Sequence, residues 1–515
     1  MNKEQILWAD DEIDLLKPHI LFLQNKGYEV TTVTNGRDAL DAISQQNFHL
    51  IILDENMPGI SGLEALQQIK IAQPNVPVIM ITKSEEENIM NQAIGSEIAD
   101  YLIKPVNPMQ ILLSIKKNLH SEALVAQKAT SDYQQEFMSI SQQIAMARTI
   151  DDWYQLYNTL VRWELTLSNA ETGMADMLRM QKLEANSAFA KMVKRNYEKW
   201  VTTDDHPLMS NEIFKTQIFP HIDAGEKVCF IVIDNFRLDQ WRTISPLLND
   251  YFNIEKEELY TTILPTATQY ARNAIFSGLM PIDIERMFPE LWVDEDEDEG
   301  KNLNEAPLIQ TILDRYRRKC KFSYNKLNDS AAGERLVQHF AQLKNFDLNV
   351  IVFNFVDILS HARTESKMIR ELAYTDEAYR SITVTWFKNS YVLEIFKRIA
   401  EQGWKIVLTT DHGTTRVDNA IKVIGDKNTN TNLRYKVGKN LSYNPRQVYE
   451  IKQPKRFGLP LLNVSSTYIF ASGRDFFAYP NNYNHYVQYY NDTFQHGGIS
   501  MEEMLVPLIT LTPKK

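Results

Sequence analysis

The sequence predicts a multidomain α/β protein: a doubly wound parallel sheet, then a helical bundle, then a second α/β domain. Three observations carry that expectation. Over residues 1–120, short apolar runs alternate with amphipathic segments, and each run ends in a polar residue or a turn signal. Residues 121–205 contain no proline and carry large apolar side chains at helical spacing. Beyond residue 206, apolar runs that end in Asp return. At roughly 150 residues per domain, the 515 residues divide into these three parts: 1–120, 121–205 and 206–515.

In the first part, Ile6 to Ala9 runs into Asp10-Asp11, and Tyr28 to Thr34 ends at the turn signal Asn35-Gly36. His49 to Leu53 ends in Asp54, Val76 to Ile81 in Thr82, and Tyr101 to Ile103 in Lys104-Pro105. Helical segments such as Gly62 to Ala72 lie between them. Five buried strands alternating with helices make a doubly wound parallel sheet.

In the second part, Trp153, Leu156, Leu160, Trp163 and Leu167, then Phe189, Val193, Tyr197 and Trp200, recur at helical spacing. Ser168 with Glu171 fits a capping box and starts a helix. These features predict a bundle of about three helices, its aromatics forming either the core or a dimer face. In the third part, Val228 to Ile233 precedes Asp234, Val350 to Val356 precedes Asp357, and Ile406 to Thr410 precedes Asp411. The acidic run Asp294 to Glu299 reads as a solvated loop. Residues 415–460, rich in Asn, Lys, Gly and Pro, read as loops or an insertion.

A formal net charge of −11 disfavours non-specific coating of a nucleic-acid backbone. No helix-turn-helix pattern with a basic recognition helix follows residue 120, so direct sequence-specific DNA binding is not expected. Cys229 and Cys320 are the only cysteines, too few for a disulfide framework or a zinc-thiolate site. No apolar stretch suits a signal peptide or reaches the ~20 residues of a membrane span. The expectation is a soluble cytoplasmic protein with no membrane insertion.

Function in open α/β sheets gathers at the carboxyl ends of the strands. Those ends carry Asp10, Asp11, Asp54, Thr82 and Lys104. Each alone reads equally well as a cap or a loop charge. Together, three carboxylates at one sheet edge repel one another unless a hard cation sits among them, and Mg²⁺ suits an oxygen-only site that also holds a phosphoryl group. Lys104 can pair with phosphoryl oxygens, and Thr82 can donate to them. The set, with Leu53-Asp54-Glu55-Asn56-Met57-Pro58-Gly59-Ile60-Ser61-Gly62, resembles the receiver domain of two-component response regulators, a flavodoxin-like fold. The resemblance implies that Asp54 accepts the phosphoryl group and that Asp10, Asp11 and Asp54 hold Mg²⁺. It also implies that Thr82 and Tyr101 form a switch pair, and that Lys104 senses the phosphoryl group.

A second constellation lies downstream: Asp234, Thr268, Asp357 with His361, Asp411-His412-Gly413, and His496-Gly497-Gly498. Asp and His with one Thr form a ligand set for divalent metals such as Zn²⁺ or Mn²⁺. Singly these residues are weak signals. In this order they resemble the alkaline-phosphatase superfamily, and residues from about 208 onward resemble its PglZ branch through Val-Ile-Asp234-Asn-Phe-Arg237-Leu-Asp239 and Pro265-Thr-Ala-Thr268 to Ser277-Gly278. The resemblance implies two zinc ions, one held by Asp234, Thr268, Asp411 and His412, the other by Asp357, His361 and His496. It implies Thr268 as nucleophile, ten residues before Gly278, with Thr266 as the alternative. Arg237 and Arg272 are candidates for binding substrate phosphate or for salt bridges.

The order of receiver, helical middle and PglZ-type domain resembles the PorX family of response regulators, tied to the type IX secretion system. That implies a sensor histidine kinase, a type IX secretion system component and an extracytoplasmic-function sigma factor as partners. Two functions are compatible with these residues. One is a receiver-gated metal-dependent phosphodiesterase or phosphatase acting on nucleotides or oligonucleotides. The other is a signalling adaptor with structural metals that works through phosphorylation-dependent homodimerisation and docking.

Overall fold

The computed structural model describes residues 3–83, 87–168, 172–294, 302–425, 429–463 and 465–514. Glu171 of the expected capping box and the acidic run beyond Asp294 lie outside the described residues. The chain divides into two compact units, Met1–Ser131 and Asp132–Lys515.

In the first unit, β1 (Gln5–Ala9), β2 (Glu29–Val33), β3 (Leu50–Leu53), β4 (Val78–Thr82) and β5 (Asp100–Ile103) form one sheet in the order β2-β1-β3-β4-β5. Every neighbouring pair is parallel. Successive side chains of a strand point to opposite faces, and the core follows that rule. Leu7, Ile51, Leu53 and Met80 fill one face, while Ile6, Trp8, Ile52, Ile79 and Ile81 fill the other. Asn35, expected to close a turn, caps the helix Gly36–Gln45 by accepting from Asp38 N–H. The helix Gly62–Ala72 starts with a capping box of Ser61 and Glu64. A side chain at Gly62 would meet the Asp54 carbonyl oxygen at 2.3 Å, so glycine there lets the helix close on the strand end that carries Asp54.

The helical middle comprises helices Pro108–Met146, Ile150–Thr166 and Thr172–Thr202. The first runs without a break through residue 120. Thr149 and Asp152 form a capping box on the second. Trp153, Leu156, Leu160, Trp163, Leu167, Phe189, Val193, Tyr197 and Trp200 are all buried within the chain, which places these aromatics in the core.

The second unit holds a six-stranded sheet of β6 (Val228–Ile233), β7 (Phe252–Thr261), β8 (Phe322–Leu327), β9 (Leu348–Phe353), β10 (Lys405–Thr409) and a C-terminal strand, Leu505–Pro513. The order is β7, C-terminal strand, β10, β6, β9, β8. Strands β10, β6, β9 and β8 are parallel neighbours, and the C-terminal strand runs antiparallel to β10 and β7. Two expectations are corrected. The apolar run before Asp357 is not one strand: β9 ends at Phe353, and Phe355–Glu365 is a helix with Asn354 at its N-cap. Asp357 and His361 therefore stand one turn apart on a helix. Residues 415–460 are also more than loops. Short strands Thr415–Val417, Asn419–Lys422, Tyr435–Gly438 and Tyr449–Ile451 pair in small sheets with later segments. Strands of three or four residues leave no alternating signal to read.

Candidate active site and metal centres

The receiver pocket lies at the carboxyl ends of β1, β3, β4 and β5. Asp10, Asp11 and Asp54 each offer a carboxylate oxygen within 4.8 Å of the others. Lys104 Nζ lies 2.8 Å from both Asp10 Oδ2 and Asp54 Oδ2. Burial opposes the Lys104 charge, but these carboxylates outweigh it and keep the amine protonated. Burial also raises the Asp54 carboxyl above its ordinary range, against the pull of Lys104. Asp54 is 2% exposed, and its Oδ1 is buried without a hydrogen-bond partner. An unpartnered buried oxygen beside two further carboxylates fits an oxygen-coordinated Mg²⁺. Thr82 is fully buried at the same edge, and Tyr101 is half-buried against the core.

The second centre forms where the adjacent parallel strands β10, β6 and β9 end. Asp234 follows β6, Asp411 and His412 follow β10, and the helix after β9 supplies Asp357 and His361. Six of the seven residues expected to ligate metal come together in two groups, with Thr268 beside the first. Asp234, Asp411 and His412 form a buried group, and Asp357, His361 and His496 a more open one. Thr268 Oγ1 is 3.2 Å from His412 Nε2 and 3.5 Å from Asp234 Oδ1. The His412 and His496 rings stack at 4.2 Å, which joins the two groups. The His361 side chain is 61% exposed, so the centre opens to solvent on the side of the outer group.

Backbone carbonyls fix the imidazoles. His412 Nδ1 is 3.1 Å from Gly413 O, and His496 Nδ1 is 3.2 Å from Thr266 O. A carbonyl oxygen only accepts, so each Nδ1 donates and each Nε2 keeps its lone pair for a ligand. Burial, with the neighbouring His412, pushes His496 down to about 3 and keeps it neutral. Thr266 serves the scaffold: its hydroxyl donates to Gly498 O at 2.9 Å and accepts from Gly497 N at 3.0 Å. Thr268 instead starts the helix Thr268–Ser277, where the first N–H groups have no intrahelical partner and favour negative charge. Carboxylate, imidazole and hydroxyl donors in two compact groups fit a pair of divalent cations.

Both arginines offered for substrate are occupied by carboxylates. Arg272, 1% exposed, contacts Asp234, Asp411 at 3.0 Å and Glu305 at 3.1 Å. Burial works against charge on Asp411, yet Arg272 and then His412 hold its carboxyl below the usual range. Burial raises Asp234 despite Arg272. Arg237 forks onto Asp239 at 2.9 and 2.7 Å and reaches Asp376 at 3.3 Å. Both are buried rather than surface bridges.

Two contributors escaped the sequence reading. Glu305 anchors Arg272 and accepts from Tyr324 Oη at 2.6 Å. Glu503, fully buried, ties the loops of His412 and His496 together. Its Oε1 accepts from Gly498 N at 2.9 Å, its backbone carbonyl accepts from Gly413 N at 3.1 Å, and Arg434 pairs with it at 2.6 Å. Gly413 permits this approach, since a side chain there would meet Glu502 O at 2.0 Å. The only sequence signal was Ser500 with Glu503, an N-cap spacing that the structure uses.

Family models match three parts of the chain. A response regulator receiver domain matches residues 6–116, and the PorX response regulator linker domain matches 123–201. The BREX system PglZ alkaline phosphatase-like domain matches 213–511. The transcriptional regulatory protein ResD of Bacillus subtilis is 32% identical over 115 residues, 22% of this chain and 48% of ResD. The alkaline phosphatase synthesis transcriptional regulatory protein PhoP of the same organism is 29% identical over 168 residues, 32% of this chain and 68% of PhoP. Among solved structures, a CheY-like receiver domain protein from Methanospirillum hungatei is 28% identical, covering 23% of this chain and 96% of its own, at a TM-score of 0.23. Among the described residues no helix is long and apolar enough to cross a membrane. A receiver domain implies a kinase that phosphorylates it, and receiver and alkaline-phosphatase-like domains generally use divalent metals. Matched over most of its length behind a receiver and a linker, the chain belongs to the PglZ alkaline phosphatase-like family and is a PorX-like response regulator.

Proposed function

We propose that phosphorylation of Asp54 controls a metal-dependent phosphodiesterase or phosphatase in the PglZ domain, with nucleotides or oligonucleotides as substrates. The supporting observation is the Thr268 hydroxyl, placed at a helix start 3.2 Å from His412 Nε2. Asp234, Thr268, Asp411 and His412 would hold one zinc ion, and Asp357, His361 and His496 a second, with manganese as the alternative. Asp10, Asp11 and Asp54 would hold Mg²⁺. Such cations, when bound, supply Lewis acidity to a hydroxyl nucleophile and to phosphoryl oxygens.

The residues themselves do the following. His412, with Nδ1–H held by Gly413 O, keeps its Nε2 lone pair for the metal, and the Thr268 hydroxyl beside it donates to Asp234 Oδ1. Thr268 Oγ1 bonds to the substrate phosphorus, its proton passes to water, and the bond to the leaving oxygen breaks. The helix start favours the phosphoryl charge. Water then attacks the threonyl phosphate, returning Thr268 and releasing the phosphate product.

The partner set rests on the PorX-like organisation: a sensor histidine kinase, a type IX secretion system component and an extracytoplasmic-function sigma factor, with homodimerisation on phosphorylation. One observation favours the adaptor reading. Arg272 already pairs with Asp234 and Asp411, so these carboxylates have a partner without turnover chemistry. The test is hydrolysis of bis-p-nitrophenyl phosphate and short oligonucleotides by the wild type and Thr268→Ala, each with metal quantified and with or without a phosphoryl mimic at Asp54. Metal-dependent turnover that falls on the order of 10³-fold or more in the variant supports the enzyme. Bound metal without turnover supports the adaptor.

A further inference from the structure

The helical middle contains a cavity apart from both centres. One wall is a face of helix Thr172–Thr202, where Glu184, Ala188, Lys191, Met192 and Arg195 follow one another at spacings of three and four or lie side by side. The other wall is the end of helix Pro108–Met146 and the start of the next, with Ile144, Ala147, Arg148 and Trp153. The space is about 410 Å³, inside the roughly 300–1,000 Å³ of small-molecule sites.

Its floor is apolar: Ile144, Ala147, Trp153 and Met192 are buried. Its rim is cationic. Arg148, Lys191 and Arg195 are exposed, and among the described residues none of the three forms an ion pair. Arg148 donates to the carbonyls of Ala145 and Ala147. Among the described residues Glu184 is the only acid on the lining. Clustered positive charge is the reverse of what a chain of net charge −11 shows on average. The Trp153 indole N–H is buried without a hydrogen-bond partner, and such an unmet donor is uncommon in a finished core.

We infer that this cavity binds a small ring-bearing phosphate, its ring on the apolar floor and its anionic group between Lys191 and Arg195. The opposite face of the same helix grips the hydrolase. Asn186 Nδ2 donates to Glu502 Oε2 at 2.9 Å, and its Oδ1 accepts from Met501 N at 2.8 Å. The ligand would sit roughly one helix diameter, about 10 Å, from the segment that carries Glu503.

The experiment uses the full chain and 8-anilinonaphthalene-1-sulfonate, an anion on an apolar ring body, read by fluorescence. One saturable site is expected, displaced by AMP and not by inorganic phosphate. The double variant Lys191→Gln, Arg195→Gln should weaken the dye by roughly tenfold, from the loss of two exposed charge contacts. Ala188→Trp, which fills the cavity, should remove the site. Should the tryptophan variant misfold, the exposed double variant still decides. Unchanged dye binding in a folded double variant would overturn the inference. So would failure of AMP to displace the dye, or displacement by inorganic phosphate as effective as by AMP.

Discussion

Asp10, Asp11 and Asp54 in the receiver gather near Lys104, whereas Asp234, Asp411 and Glu305 in the PglZ domain gather around Arg272. Both clusters stand at the carboxyl ends of parallel strands, and both set several negative charges against one basic side chain. The basic residue differs, and so does what it can do. Lys104 is a point charge on a flexible stem, suited to follow the phosphoryl group proposed for Asp54. Arg272 is a planar fork held by three carboxylates in a fully packed site. The first arrangement suits a switch and the second a rigid frame. Substitutions that exchange those properties test the contrast.

The largest expected effect on stability comes from Arg272→Gln. Removing the cation leaves Asp234, Asp411 and Glu305 buried without it, which costs about 3–5 kcal/mol. Urea unfolding of metal-free protein should show that loss, and added zinc should restore part of it by taking over the neutralisation. A variant as stable as wild type would show that the frame does not depend on Arg272.

A smaller loss is expected from Glu503→Gln. The side chain keeps its shape but loses the charge that Arg434 and Gly498 N–H meet, a change of about 1–3 kcal/mol. Because Glu503 joins the loops of His412 and His496, zinc affinity by calorimetry should fall along with melting temperature. Lower stability with unchanged zinc affinity would reduce Glu503 to a packing role.

The smallest effect is in the receiver and has the opposite sign. Burial raises the Asp54 carboxyl above its ordinary range, so its charged form costs stability at neutral pH when no cation is present. Asp54→Asn should therefore stabilise the metal-free receiver by about 1 kcal/mol at pH 7. The gain should shrink as pH falls through the raised Asp54 value towards the usual carboxylate range, where wild type is protonated both folded and unfolded. Thermal melts in chelator across pH 3 to 7 read this, and addition of Mg²⁺ should favour wild type over the variant. A destabilised variant at pH 7 would mean that the ion pair with Lys104 outweighs burial.

The candidate metal-binding residues were legible because Asp and His at strand ends are conspicuous against apolar runs. Six of the seven expected ligands of the second centre fall into two close groups, and Thr268 Oγ1 lies 3.2 Å from His412 Nε2. Asp357 was legible as a candidate ligand but not in its setting. The run through Phe353, Asn354, Phe355 and Val356 reads as one strand, yet the chain turns into a helix at Asn354. Glu305, Arg434 and Glu503 looked like ordinary charges, and Arg272 like a phosphate-binding residue or a salt bridge; their burial depends on partners 33 and 69 residues away. No local pattern marks such a residue as interior. The small sheets after residue 415 were missed for a related reason: their strands are too short to carry a period of their own.

The central claim is that Thr268 is the nucleophile of a working hydrolase. The direct measurement is an acid-quenched single turnover of the zinc-loaded protein with bis-p-nitrophenyl phosphate, followed by peptide mass spectrometry. The account predicts a p-nitrophenylphosphoryl adduct on Thr268, absent from Thr268→Ala, formed no more slowly than p-nitrophenol. Turnover that persists in Thr268→Ala, or an adduct on Thr266 with Thr268 unmodified, would contradict it.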